Sequence, residues 1–90
     1  MYKYKINEIL DNMPMKEYKK AIKVIPKIIG VSQNTFANYR SIKMDDEKDI
    51  PYQKVILLEK IFGVESGSLM NFKIVQKSLA EILLEDLHHG

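Results

Sequence analysis

Three carboxamides, Gln33, Asn34 and Asn38, fall within six residues of the run SQNTFANYRS that spans Ser32 to Ser41. An Asn or Gln amide presents a donor beside an acceptor, so it can pair with both N6 and N7 of an adenine in a major groove. Ala37, between them, is small enough to approach a thymine methyl, and Ser41 falls on the same outward side. Lys23, Lys27, Arg40 and Lys43 surround the run and can neutralise phosphates, while Ser32 and the N–H groups that follow it can bind one directly. The plainer reading is a polar helix surface with solvated lysines. Against it, NTFAN is a weak helix former, and a purely structural helix is better built from Lys, Glu and Ala.

Other chemistry finds few candidates. The chain contains no cysteine, no phosphate-cradling glycine loop and no serine nucleophile elbow, so we expect no enzyme activity, no cofactor and no small-molecule ligand. Asp45, Asp46, Glu47 and Asp49 cluster in one stretch, but their order fails the calcium-loop pattern, and a solvated, self-repelling loop is the better account. His88 and His89 lack a third ligand; we assign them no role and expect no metal.

Helical periodicity accounts for nearly the whole chain. Ile6, Ile9 and Leu10 predict a short helix from Tyr4 to about Asp11. A second pattern runs from Met15 through Tyr18, Ile22, Ile25 and Ile29, with lysines largely on its other faces. Pro26 deprives the Ile22 carbonyl of its partner, which predicts a break or kink near Lys23 to Ile25. Gly30 suits a left-handed corner and Ser32 an N-cap, so the next helix spans Gln33 to about Ser41, with Phe36 and Tyr39 turned inward.

Lys43 to Ile50 reads as an exposed loop of about eight residues. Pro51 opens a helix carrying Val55, Leu58, Ile61 and Phe62, closed by Gly63. Ser66 or Ser68 would cap a short helix bearing Leu69, Met70 and Phe72. Lys73 to about Leu87 forms a last amphipathic helix, with Val75, Leu79, Ile82 and Leu83 on one stripe and Leu84 and Leu87 beside it. No strand alternation or internal repeat interrupts this all-α pattern.

Ninety residues, 46% hydrophobic and 29% charged, suit one globular domain. No apolar run reaches the ~18 residues of a membrane span, and MYKYKINEIL lacks a secretory signal's apolar stretch, so we expect a cytoplasmic location. The net charge of +2 hides an asymmetry. Residues 1–43 hold nine basic against three acidic residues (+6), and residues 44–90 hold five against nine (−4). The basic half contains the carboxamides, as a polyanion-facing surface requires.

The stretches IIGVSQNTFANYR, IPYQKVILLEKIFGV and ESGSLMNF together resemble the lambda-repressor-like helix-turn-helix proteins, also called the XRE or Cro/C1 type. Roughly half the chain carries the likeness. It implies a compact five-helix domain over residues 1–72, with the motif at about 22–41. The additional C-terminal helix in residues 73–90, with its surplus of Leu and Ile, is a candidate dimerisation element or else packs back onto the domain's own core. The likeness further implies a prokaryotic or phage transcription regulator, a repressor or an activator. Such a protein would be a homodimer on double-stranded DNA, its half-sites about one helical turn, ~34 Å, apart. Gln33, Asn34, Ala37, Asn38 and Ser41 would read bases; Ser32, Lys23, Lys27, Arg40 and Lys43 would contact phosphates. Pro26 and Arg40 depart from the family pattern. With the acidic second half, they support an alternative, a protein-interaction module of antirepressor or antitoxin-like type that does not read DNA.

Overall fold

The computed structural model describes residues 1–72 and 74–89, with side chains to Leu87; the histidine pair of the sequence analysis therefore lies outside the described side chains. Five helices follow one another: α1 (Ile6–Asp11), α2 (Met15–Ile29), α3 (Gln33–Ser41), α4 (Tyr52–Phe62) and α5 (Leu79–His89). The protein is all-α, and among the described residues no helix is long and apolar enough to cross a membrane.

α2 is the centre of the packing, with α1, α3 and α4 against it. Ile6 and Leu10 of α1, Ile25 and Ile29 of α2, Phe36 of α3 and Val55 and Leu58 of α4 meet in one core, which Leu69 completes. Both central helices end as their glycines predict. Gly30 takes a left-handed conformation at φ 74°, and the N–H groups of Gly30 and Val31 donate to the carbonyls of Lys27 and Pro26. A Cβ at Gly30 would meet only ordinary contact with Lys54 Nζ, at 3.6 Å, so glycine is required there by backbone conformation. Lys54 Nζ donates to the Ile29 carbonyl at 2.5 Å and ties α4 to the end of α2.

Several expectations are corrected. α2 runs unbroken through Pro26. The proline sits in the last turn, so one backbone hydrogen bond is lost, while its buried ring and the buried Ile25 and Ile29 hold the turn in place. The first helix starts at Ile6 because the residues before it bond to distant segments: Lys3 N–H donates to the Ile42 carbonyl, Lys5 N–H to that of Leu69, and Asn71 N–H to that of Lys3. Two isolated antiparallel bridges result, Tyr2 with Lys43 and Tyr4 with Met70.

The short helix expected around Leu69 to Phe72 is absent, which leaves four helices in the body in place of five. Its place is taken by turns, because the buried Glu59 carboxylate accepts from the N–H groups of Gly67 (2.7 Å) and Leu69 (3.2 Å). The last helix starts at Leu79, with the Ser78 hydroxyl accepting from Glu81 N–H; Val75 precedes it, and Lys73 lies outside the described residues. Between residues 74 and 87 only Ile82 is even partly buried. α5 therefore stands off the body, and the molecule measures 60 × 24 × 24 Å, longer than the compact shape expected.

The acidic stretch is also more than a solvated loop. Lys3, a buried lysine, donates from Nζ to the carbonyls of Asp46 (2.7 Å) and Lys48 (2.9 Å) and to Asp49 Oδ1 (2.9 Å). The loop folds around this ammonium, and Ile50 at its end enters the core. Beside it the Tyr4 hydroxyl accepts from Ile50 N–H at 3.1 Å. Burial pushes the Tyr4 phenol above its ordinary value of 10.0, with Asp49 adding to the shift and the Ile50 hydrogen bond opposing it. A phenol whose pKa is raised by folding favours the folded state below the unfolded value and loses that contribution as pH climbs above it. Stability measured by urea unfolding should thus fall above about pH 10, with part of the fall absent in Tyr4→Phe. An identical alkaline loss in Tyr4→Phe would assign it elsewhere.

Candidate nucleic-acid interface

α3 divides into two faces. Phe36 is buried, and Thr35, Tyr39 and Arg40 are half-buried, whereas Gln33, Asn34, Ala37, Asn38 and Ser41 are all exposed. The outward set expected from periodicity is the set that reaches solvent. Ser32 is the N-cap: its Oγ accepts from Thr35 N–H at 3.0 Å and lies 2.9 Å from Thr35 Oγ1. Helix geometry leaves the N–H groups of Gln33 and Asn34 without intrahelical acceptors, and with the positive end of the helix dipole they form an anion-compatible tip.

The cations separate into two kinds. Lys23 and Lys27 on α2 and Lys43 after α3 are exposed, and among the described residues none of their three ammonium groups pairs with a carboxylate, although the Lys43 backbone N–H donates to Asp46 Oδ2 at 2.8 Å. Arg40 is different. Its Nε donates to Asn7 Oδ1 at 2.8 Å and a terminal nitrogen donates to the Tyr18 hydroxyl at 2.9 Å; the guanidinium lies 5.8 Å from the Tyr18 ring centre. Asn7 Nδ2 in turn donates to the Arg40 carbonyl at 3.1 Å. Arg40 is thus a clamp joining α1, α2 and α3, and we remove it from the phosphate set. Ser41 also changes role, since its hydroxyl lies within bonding distance of the Ala37 and Asn38 carbonyls and its proton goes to its own helix.

Electrostatics distinguish the two ends of α3. A cleft of about 410 Å³ separates its C-terminal half from the acidic loop, lined by Thr35, Asn38, Tyr39, Ser41 and Ile42 on one side and Asp46, Lys48 and Asp49 on the other. Carboxylates at that end oppose the approach of a phosphate backbone, while the capped N-terminal end carries no nearby acid in its first turn. The end of α3 that an anion can reach is therefore the end with Gln33 and Asn34.

Lys3, Asn7, Lys54 and Glu59 were not singled out by the sequence, which places Tyr18 only as a position in the apolar stripe of α2. Each acts through a partner between 8 and 46 residues away, a separation at which neither spacing nor composition carries a signal. The described geometry defines an all-α protein whose third helix displays an uncharged, hydrogen-bonding face. Comparison with known protein families, with curated proteins and with solved structures finds no match.

Proposed function

We propose that this chain is a sequence-reading DNA-binding protein of the lambda-repressor-like helix-turn-helix type, a transcription regulator that enters the major groove with α3. The observation that carries the reading is the outward face of α3, where Gln33, Asn34, Ala37 and Asn38 are exposed together on a helix held by Phe36 and capped by Ser32. Gln33 and Asn34 at the acid-free tip read bases first, with Ala37 and Asn38 behind them. Lys23, Lys27 and the free N–H groups after Ser32 hold the phosphates, whereas Lys43 is set back beside the acidic loop, where its N–H donates to Asp46.

Selection of bound fragments from random duplex DNA is the direct test, and a recovered consensus is the expected result. Gln33→Ala and Asn38→Ala should each lose ~1–3 kcal/mol on the consensus and relax the preference at one position. Lys27→Ala should weaken all sequences alike and flatten the salt dependence. Uniform losses from all three would count against base reading.

The acidic loop beside α3 and the internal engagement of Arg40 favour a second reading, a protein-interaction module that uses the same helix against a basic partner. Salt separates the two. Binding to duplex DNA should weaken steeply between about 50 and 200 mM salt. Failure to retain any duplex at 50 mM would leave the second reading in place.

A further inference from the structure

α5 has 11 residues, a length at which an isolated helix is marginal in water. Nevertheless Leu79, Leu83, Leu84 and Leu87 are 69%, 53%, 57% and 81% exposed. Leu79, Leu83 and Leu87 recur every four residues and Leu84 lies beside them, so the four make one stripe, with Glu81 along one edge and Asp86 along the other. A second uncovered surface lies on α2, where the exposed Val24 and Ile28 stand one turn apart. Lys20 and Lys27 border that pair along one edge, Lys16, Lys19 and Lys23 continue beyond them around the same exposed side, and the exposed Glu17 lies in line with Val24 along the helix. Lysine stems extend such an apolar surface while their heads stay in water.

We infer that a second copy of this chain seats its α5 on the outward face of α2, with the leucine stripe over Val24, Ile28 and the lysine stems and one acidic edge of α5 against Lys20 and Lys27. Charge selects this arrangement. From Leu79 to Leu87 α5 carries Glu81, Glu85 and Asp86 and no basic residue, whereas α2 carries five lysines against Glu17. Pairing α5 with another α5 would bring two acidic helices together, and Lys77, the nearest cation in sequence, already pairs with Glu85 of its own chain. The apolar cleft of about 320 Å³ around Tyr52, Ile56 and Phe72 has Asp49 and Glu59 in its wall, which disfavours an acidic guest. Reciprocal exchange gives two identical contacts and a closed two-fold dimer.

The consequence rests on the DNA reading: this contact covers the side of α2 that bears Lys23 and Lys27, so a second copy and duplex DNA compete. The self-associated form is then the one that does not engage an operator, and it is distinct from the homodimer on DNA that the family resemblance implies. Sedimentation without DNA tests the contact alone. At 50 mM salt and about 100 μM protein the wild type should be dimeric. Lys20→Glu/Lys27→Glu and Glu81→Lys/Asp86→Lys should each be at least ten-fold weaker in self-association, with helix content unchanged by circular dichroism.

An equimolar mixture of the two double variants should recover association, because opposite charges meet again across both contacts of the mixed dimer. A monomeric wild type under those conditions, or a dimer indifferent to the α2 variant, would overturn the proposal. The chain lacks cysteine, so Val24→Cys and Leu83→Cys can report the pairing directly: mixed, they should form the crossed disulfide. Predominant Leu83→Cys self-coupling would instead demonstrate α5 against α5 and overturn it. Adding duplex DNA should convert dimer to DNA-bound monomer. A dimer that forms as described while no duplex is retained would sink the DNA reading alone.

Discussion

Phe36→Ala should lower the stability of the fold by about 3–5 kcal/mol, the cost of removing a buried aromatic ring and leaving a cavity. Phe36 is 1% exposed and is the only residue of α3 buried to that degree. The helix around it, QNTFANYRS, has little intrinsic helical preference, so its order derives from docking that ring between α2 and the rest of the core. Urea unfolding followed by circular dichroism gives the loss. Ala37→Ser, one position along on the exposed face, should change stability by no more than about 0.5 kcal/mol. A loss from Phe36→Ala below about 1 kcal/mol would mean that α3 is held by contacts other than its ring. In that case the outward face assigned to Gln33, Asn34 and Asn38 would lose its physical basis.

The second large effect is expected at Lys3. Lys3→Met retains most of the stem but removes an ammonium that donates to two carbonyls and a carboxylate, and should cost about 2–4 kcal/mol. The side chain of Lys3 is 9% exposed, whereas that of Asp49 is 62% exposed, so the two ends of the ion pair differ in weight. Asp49→Asn keeps both carbonyl acceptors and an oxygen in place, and its charge is solvated; its cost should stay within about 1 kcal/mol. Limited proteolysis offers an independent readout. Cleavage between Asp45 and Lys48 should accelerate in Lys3→Met and remain slow in Asp49→Asn. Equal stability losses from the two substitutions would assign the effect to the ion pair alone and not to the folding of the loop around the cation.

Elements that depend on local chemistry were legible from the residues. α3 begins and ends where Ser32 and the Phe36/Tyr39 spacing place it, and α4 runs from Tyr52 to Phe62 because Pro51 and Gly63 on either side carry its start and stop signals. The exposure of Gln33, Asn34, Ala37, Asn38 and Ser41 follows from one buried stripe and 3.6 residues per turn. Pro26 misled because the rule for an interior proline weighs one lost hydrogen bond without the burial around it. Here α2 continues because its last turn is packed on two sides.

Local patterning alone therefore determined the helical class, the corner at Gly30 and the division of α3 into a buried and an outward face, since these follow from the periodicity and end signals of contiguous residues. Tertiary structure alone decided what the distant polar groups do. It set Lys3 in the acidic loop, Arg40 on Asn7 and Tyr18, and Glu59 under the turn that replaces a helix. Each of these depends on two segments meeting in space. A desolvated donor or acceptor must take whichever partner the packed core brings within about 3 Å, and sequence spacing does not encode that distance.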